Sequence, residues 1–194
     1  MDARWATAMN TAVLVIDVQQ GLCEGEGAAF DCNGTISRIN GVTRKARAAG
    51  ALAIFIQHES ETGYLAYGSS AWQLAKGLEV EPTDARIRKT TPDAFLRTEL
   101  EAILRNHGVQ SVIVCGMHSE FCVDTTTRRA LALGFPVVLV ADGHTSAGNT
   151  AISAQQVIAH HNVTLTNISS FGPRAQAVAA DNIKIAACGG VASR

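Results

Sequence analysis

The sequence predicts an α/β fold in which a mostly parallel sheet of about six strands is covered on both faces by helices. Three observations carry this. Short β-branched runs that are apolar on both faces recur at a spacing of about thirty residues, amphipathic helical periods separate them, and no hairpin signal joins any two. Strands of this kind, joined by long connections, pair in parallel through right-handed crossovers. With 194 residues, 47% of them hydrophobic, the chain can fill one core, so a single domain over 1–194 is expected, with its core at about 11–170 and a tail at 172–194.

Residues 11–19 (TAVLVIDVQ) read as a central strand that ends on Asp17, and the glycine-rich stretch 21–34 as a loop over that edge. Its Gly25-Glu26-Gly27 is too weak for a phosphate cradle. Ile36, Ile39, Val42 and Ala46 recur at helical spacing before Gly50, an αL stop. Residues 51–57 form the next strand, followed by His58-Glu59-Ser60-Glu61, and 62–81 a loop with Tyr64, Tyr67 and Trp72. Residues 85–89 are a short strand ending at Lys89, after which Thr90-Thr91-Pro92-Asp93 signals a helix through Phe95, Leu96, Leu100, Ile103 and Leu104 to Gly108. Residues 109–115 are a strand, and Cys122 opens a helix that Gly134 closes. A strand over 135–142, a helix capped by Asn149 or Thr150 and running to about His160, and a last strand at 163–165 complete the pattern. The small-residue tail after Phe171 reads as a weak helix or as lacking order.

A formal net charge of -1 with scattered charges gives no basic face for nucleic acid and no acidic tail, which leaves a small-molecule substrate. The first ten residues have no apolar signal core, and no run approaches the ~18 apolar residues of a membrane span, so no membrane association and a cytoplasmic location are expected. Five cysteines without metal-type spacing read as reduced thiols: Cys115 in the core, Cys23, Cys32 and Cys188 incidental, and Cys122 set apart.

Ligands of open α/β sheets bind outside the carboxyl ends of the strands. Asp17, His58, Lys89, Asp142 and the loop from Gly116 to Cys122 all fall there. A helix start offers N–H groups and a positive dipole end, which lower a thiol's pKa and can hold a developing oxyanion. Thiol chemistry also needs a proton acceptor and a nearby positive charge. Asp17 and Lys89 can supply these; His118 is a second candidate base, and Asp142 and His144 read as loop and strand-end residues serving backbone donors. His160 and His161, adjacent on a helix end, diverge and read as surface.

Val15-Ile16-Asp17-Val18-Gln19, Lys89-Thr90-Thr91-Pro92-Asp93-Ala94-Phe95 and Cys115-Gly116-Met117-His118-Ser119-Glu120-Phe121-Cys122-Val123-Asp124 resemble, in order, three motifs of the isochorismatase-like cysteine hydrolases. The resemblance covers roughly residues 11–170. It implies a Rossmann-like three-layer αβα sandwich that hydrolyses amide, lactam or ureido C–N bonds through a thioester. On the matching positions Asp17 is the base, Lys89 the charge partner and Cys122 the nucleophile. A cis peptide at Met117–His118 and an oxyanion hole from the N–H groups of His118 and Cys122 are implied too.

Candidate substrate contacts are Gln19, His58, Tyr64, Trp72, Phe95 and His118; the aromatic loop suits surface packing equally, Phe95 the helix core, and His118 the core or solvent. Isochorismatases proper lack the nucleophilic cysteine. Nicotinamidases carry a metal-binding Asp-x-His pattern where this chain has Gln57-His58-Glu59-Ser60. The resemblance therefore points to the metal-free amidohydrolase branch that includes streptothricin-hydrolase-like proteins, with no metal and no cofactor. Such proteins often complete the site with a neighbouring subunit, which implies a homo-oligomer, a dimer or tetramer. The alternatives are a nicotinamidase-type or isochorismatase-type hydrolase and a non-catalytic binding module on the same fold.

Overall fold

A computed structural model describes residues 10–187. The expected parallel sheet is present, built from β1 (Thr11–Ile16), β2 (Leu52–His58), β3 (Ala85–Lys89), β4 (Ser111–Met117), β5 (Val137–Thr145) and β6 (Ala175–Val178). The helices are α1 (Gln20–Cys23), α2 (Cys32–Ala48), α3 (Leu100–Asn106), α4 (Asp124–Ala132) and α5 (Ala154–Asn167). Strand order is β3-β2-β1-β4-β5-β6, and every pairing is parallel. The chain thus builds outward from β1 in one direction, then returns to place β4 on its other side. Among the described residues no helix is long and apolar enough to cross a membrane.

Alternating side chains of the central strands feed two cores, as strand geometry requires. Leu14, Ile16, Ile54, Ile56 and Val114 pack with Leu100, Leu104, Leu131 and Leu165 of α3, α4 and α5. Val13, Val15, Phe55, Ile113 and Cys115 pack with Ile36, Ile39 and Val42 of α2 and with Ala180 and Ile183. Both faces of the central strands are covered, which is why their runs lack polar alternation.

Several expected elements differ. No helix starts at Pro92: α3 begins at Leu100, and the preceding segment is held by side chains. Thr98 Oγ1 donates to Ala94 O (2.6 Å), Asp93 Oδ1 accepts from Phe95 N–H (2.8 Å), and Arg97 has φ +60°. Such local bonds compete with the helical ladder. Residues 163–165 are not a strand but part of α5. Their β-branched run favoured extension, yet Ser153 and Gln156 form a reciprocal capping box, and Leu165 is fully buried. Asn149 caps nothing helical; its Oδ1 accepts from Ala151 and Ile152 N–H. The sixth strand comes instead from the tail, where Ala175 pairs with Val137 and Val178 with Val140. β5 also runs past Asp142 to Thr145, with a register shift against β4 between Val114 and Gly116.

Candidate active site

β1 and β4 are neighbours in space, but the chain leaves them in opposite directions, the arrangement that opens a crevice at the carboxyl ends of a doubly wound sheet. Asp17 follows β1 directly with φ +51°, a left-handed conformation that Asp tolerates better than most residues, and its N–H donates to Ile56 O (2.9 Å). Gly116, near the end of β4, has φ +117°, and a Cβ there would run into the backbone of Ile16. Only glycine lets the two strands lie this close beside the site. The Met117–His118 peptide is cis. A π-helical turn, Ser119–Val123, then carries Cys122 and continues into α4.

Lys89 closes β3, and its ammonium lies at the centre of the site. Nζ is 2.6 Å from Asp17 Oδ2, 3.1 Å from Thr91 O, 3.2 Å from Cys122 Sγ and 3.3 Å from His58 Nδ1. The Asp17 and Lys89 side chains are 1% and 0% exposed, so the pair is dry. Three ammonium protons face four acceptors, and the sulfur and the imidazole compete for the third. As an acceptor, His58 carries its proton on Nε2; burial, then the Lys89 charge, hold its pKa below the usual value. Asp17 Oδ1 is buried without a partner.

The ligating atoms of Asp17, His58 and Cys122 lie within 4.8 Å of one another, a set that could meet a metal ion. Lys89 Nζ already sits among all three, and a metal cation there would meet its charge.

The thiol differs from the helix-start expectation. Burial, and then the Asp17 carboxylate, push the Cys122 pKa up to about 12, and Lys89 only partly opposes them. The resting group is a neutral thiol, half-buried between a proton acceptor and an ammonium.

The remaining candidates fall in different places. Gln19 is fully buried, and its amide is committed to backbone: Nε2 donates to His58 O (3.0 Å) and Trp72 O (2.8 Å), and Oε1 accepts from His58 N–H (2.9 Å). It anchors the Trp72 segment instead of offering its amide to a ligand. Trp72 is half-buried against the Tyr67 ring (4.8 Å), with its indole Nε1 buried and unpaired. Tyr64 is 59% exposed. Phe95 is buried, stacks on Phe135 at 6.4 Å, and belongs to the core cluster against which Cys122 packs. His118 is half-buried, its Nε2 without a partner, and burial lowers its pKa.

His144 lies near the end of β5, as a strand-end residue should, but its ring is 1% exposed and hydrogen-bonds the side chains of Ser119 and Asn162 in place of backbone donors. Asp142 does accept from a backbone group, Ala180 N–H. His160 is exposed, while His161 is half-buried 3.9 Å from Asp124 Oδ1. Cys23 and Cys32, expected as separate thiols, are disulfide-bonded; their nine-residue separation gave no sign of the contact. Cys115 is buried in β4 as expected, and Cys188 lies outside the described residues.

Sequence reasoning missed Thr91, whose backbone carbonyl holds Lys89, and the Ser119, His144 and Asn162 set. Proximity to Lys89 was the one available sign of Thr91. Helical spacing of Ala154, Val157 and Leu165 could have placed Asn162 on a helix. A cavity of about 250 Å³ has Lys89 in its wall with Glu59, Arg88, Thr90, Arg97 and Glu99. A larger one, about 320 Å³, is lined from α2, β5 and α5 and includes none of Asp17, Lys89 and Cys122.

A family model described as the isochorismatase domain matches residues 11–168. A streptothricin hydrolase of Streptomyces noursei is 39% identical over 134 residues, which cover 69% of this chain and 49% of that protein. The ureidoacrylate amidohydrolase RutB of Caulobacter vibrioides is 27% identical over 176 residues, 72% of this chain and 78% of the relative. The chain spans about half the length of the two streptothricin hydrolases it matches, 49% and 53%. A crystal structure described as an isochorismatase family protein superposes with a TM-score of 0.80 at 33% identity, covering 89% of this chain and all of the other. The family match takes in five of the six strands and every residue gathered around Lys89, and on that footing the chain belongs to the isochorismatase family.

Proposed function

We propose that the protein is a cysteine-dependent hydrolase of amide, lactam or ureido C–N bonds in a small molecule, without a metal or other cofactor. The observation that carries this is the buried Lys89 ammonium, 2.6 Å from a carboxylate and 3.2 Å from a thiol. The names of two relatives, a streptothricin hydrolase and a ureidoacrylate amidohydrolase, support the bond class.

The geometry suits a thiol that is deprotonated only as it attacks. Asp17 takes the Sγ proton while the sulfur adds to the substrate carbonyl, and Lys89 balances the charge passing between carboxylate and sulfur. The N–H groups of His118 and Cys122 hold the tetrahedral oxygen. The C–N bond breaks, the amine or ammonia leaves with the proton from Asp17, and a thioester on Cys122 remains. Water then gives a proton to Asp17 and its hydroxide equivalent to the carbonyl. Collapse releases the acid, and the proton returns to the sulfur. A pKa raised to about 12 fits this sequence, because a thiolate formed beforehand would sit beside the Asp17 charge. Unpaired Asp17 Oδ1 can accept from the departing N–H. His58, Trp72 and His118 are the proposed substrate contacts, with Tyr64 at the rim.

The test is release of ammonia or amine from a panel of amides, lactams and ureido compounds, with Cys122→Ala as control. Turnover that survives this substitution would sink the thioester mechanism. A protein that turns over nothing and forms no adduct at Cys122 with an aldehyde or iodoacetamide would instead be a binding module.

A further inference from the structure

The turn that carries the nucleophile is held from behind by a second polar group, buried at Ser119 and His144 and half-buried at Asn162, that the chemistry above does not use. Ser119 Oγ is 2.7 Å from His144 Nδ1, and His144 Nε2 is 3.0 Å from Asn162 Oδ1. Asn162 Nδ2 donates to Ala141 O at 2.9 Å, which fixes the amide so that Oδ1 is the acceptor. His144 must therefore donate from Nε2 and accept at Nδ1, and the Ser119 hydroxyl donates to it. Every hydrogen in the chain is thus assigned by its neighbour. Ser119 and His144 are 0% and 1% exposed, so the set resembles a serine nucleophile and base in distance only; no substrate reaches that hydroxyl. The next loop residue is tied to the same strand end. Ser146 Oγ donates to Glu120 Oε1 (2.7 Å) and accepts from Gly148 N–H (2.8 Å). Residues 119 and 120, consecutive in the loop, are thus gripped by 144 and 146, which alternate along β5 and its exit.

We infer that Ser119, held by His144 and Asn162, is a positioning residue that fixes the oxyanion donors of His118 and Cys122. The connection is short. His118 immediately precedes Ser119, and its carbonyl accepts from Phe121 and Val123 N–H (3.1 and 3.2 Å), which closes the turn around Cys122. With the anchor gone, the turn can rotate about the His118 peptide, and the two donors no longer converge on one oxygen. The thiol itself, held by Lys89 and packed on the core, keeps its environment.

This rests on the proposed thiol chemistry, so its test separates the two. Wild type, Ser119→Ala, Ser119→Thr, His144→Asn and His144→Phe are compared in two reactions of Cys122: reversible addition to a small aldehyde, which creates an oxyanion, and alkylation by iodoacetamide, which creates none at the reacting carbon. The expected result is an aldehyde dissociation constant raised about tenfold or more in Ser119→Ala and His144→Phe, with alkylation rates changed less than about threefold. Ser119→Thr, which keeps the hydroxyl, and His144→Asn, which keeps an acceptor, recover most of the affinity. Unchanged aldehyde affinity in Ser119→Ala overturns the inference. So does a parallel fall of both reactions that tracks the melting temperature, since that is a purely structural role. Should Ser119→Ala fail to fold, Asn162→Ala, on a half-buried helical residue, carries the same comparison. A wild-type protein inert to both reagents would overturn the thiol chemistry itself.

Discussion

At the scale of single residues, the site is governed by two opposite charges acting on one sulfur. Asp17 raises the Cys122 pKa and Lys89 lowers it, so their removal should move the thiol in opposite directions. Alkylation of the wild type, followed by intact mass, should climb about tenfold per pH unit between pH 7 and 9, because the thiolate fraction still lies far below its midpoint. A plateau by pH 8 would contradict this. Asp17→Asn should alkylate faster than the wild type at pH 8 while losing turnover, and Lys89→Met more slowly. Lys89→Met also strands a buried carboxylate, which should cost about 3–5 kcal/mol in urea unfolding, with part recovered in the Asp17→Asn/Lys89→Met double variant. Asp17 and Lys89 were legible because each falls where a strand run stops, and Cys122 because it opens the helix after the loop, while the three-motif resemblance set them apart from other such residues. The direction of the thiol's shift was not, because desolvation and a carboxylate from another strand outweigh the local effect of a helix start. The Ser119, His144 and Asn162 chain was hidden for the same reason: its members come from a turn, a strand and a helix whose meeting depends on tertiary packing.

At the scale of elements, β1, β2, β4 and β5 could be read because strands buried on both faces leave uninterrupted apolar or β-branched runs, and β3, an edge strand of alternating burial, because Ile87 and Lys89 fall on one face of a short segment. The failures are places where side chains overruled propensity. Ser153 and Gln156 carry α5 through a β-branched stretch, and Ser153→Ala should lower stability by about 1 kcal/mol in denaturant unfolding, with activity retained. The turns over 92–99 replace a helix because Asp93 and Thr98 bond locally. β6 gave almost no signal: it is four residues long, with two of them exposed, at the edge of the sheet. Gly116 is where element packing and chemistry meet. A methyl group there cannot be accommodated without parting β1 from β4, so Gly116→Ala should lose both stability and Cys122 reactivity, seen as a lower melting temperature and slower adduct formation. A fully stable Gly116→Ala protein would show that the strand contact is looser than described.

At the scale of the molecule, two cores share one sheet, so they should not melt separately. Ile54 and Phe55 are neighbours on β2 that face opposite layers, and both are 0% exposed. Ile54→Ala and Phe55→Ala should each cost about 2–5 kcal/mol, and both should shift the same single unfolding transition. Two resolved transitions in calorimetry would contradict a shared core.

The strand order has a consequence for how such a chain can diversify. The chain before β4 carries Asp17, Lys89 and the aromatic segment around Trp72; the chain from β4 onward carries Cys122, the turn that holds it and the clamp behind that turn. The groups that act on the sulfur and the sulfur itself thus come from two contiguous halves of the polypeptide that touch where β1 pairs with β4. Tyr64 and Tyr67, exposed on the aromatic segment, can change for a new ligand without touching the Ser119, His144 and Asn162 clamp behind the sulfur.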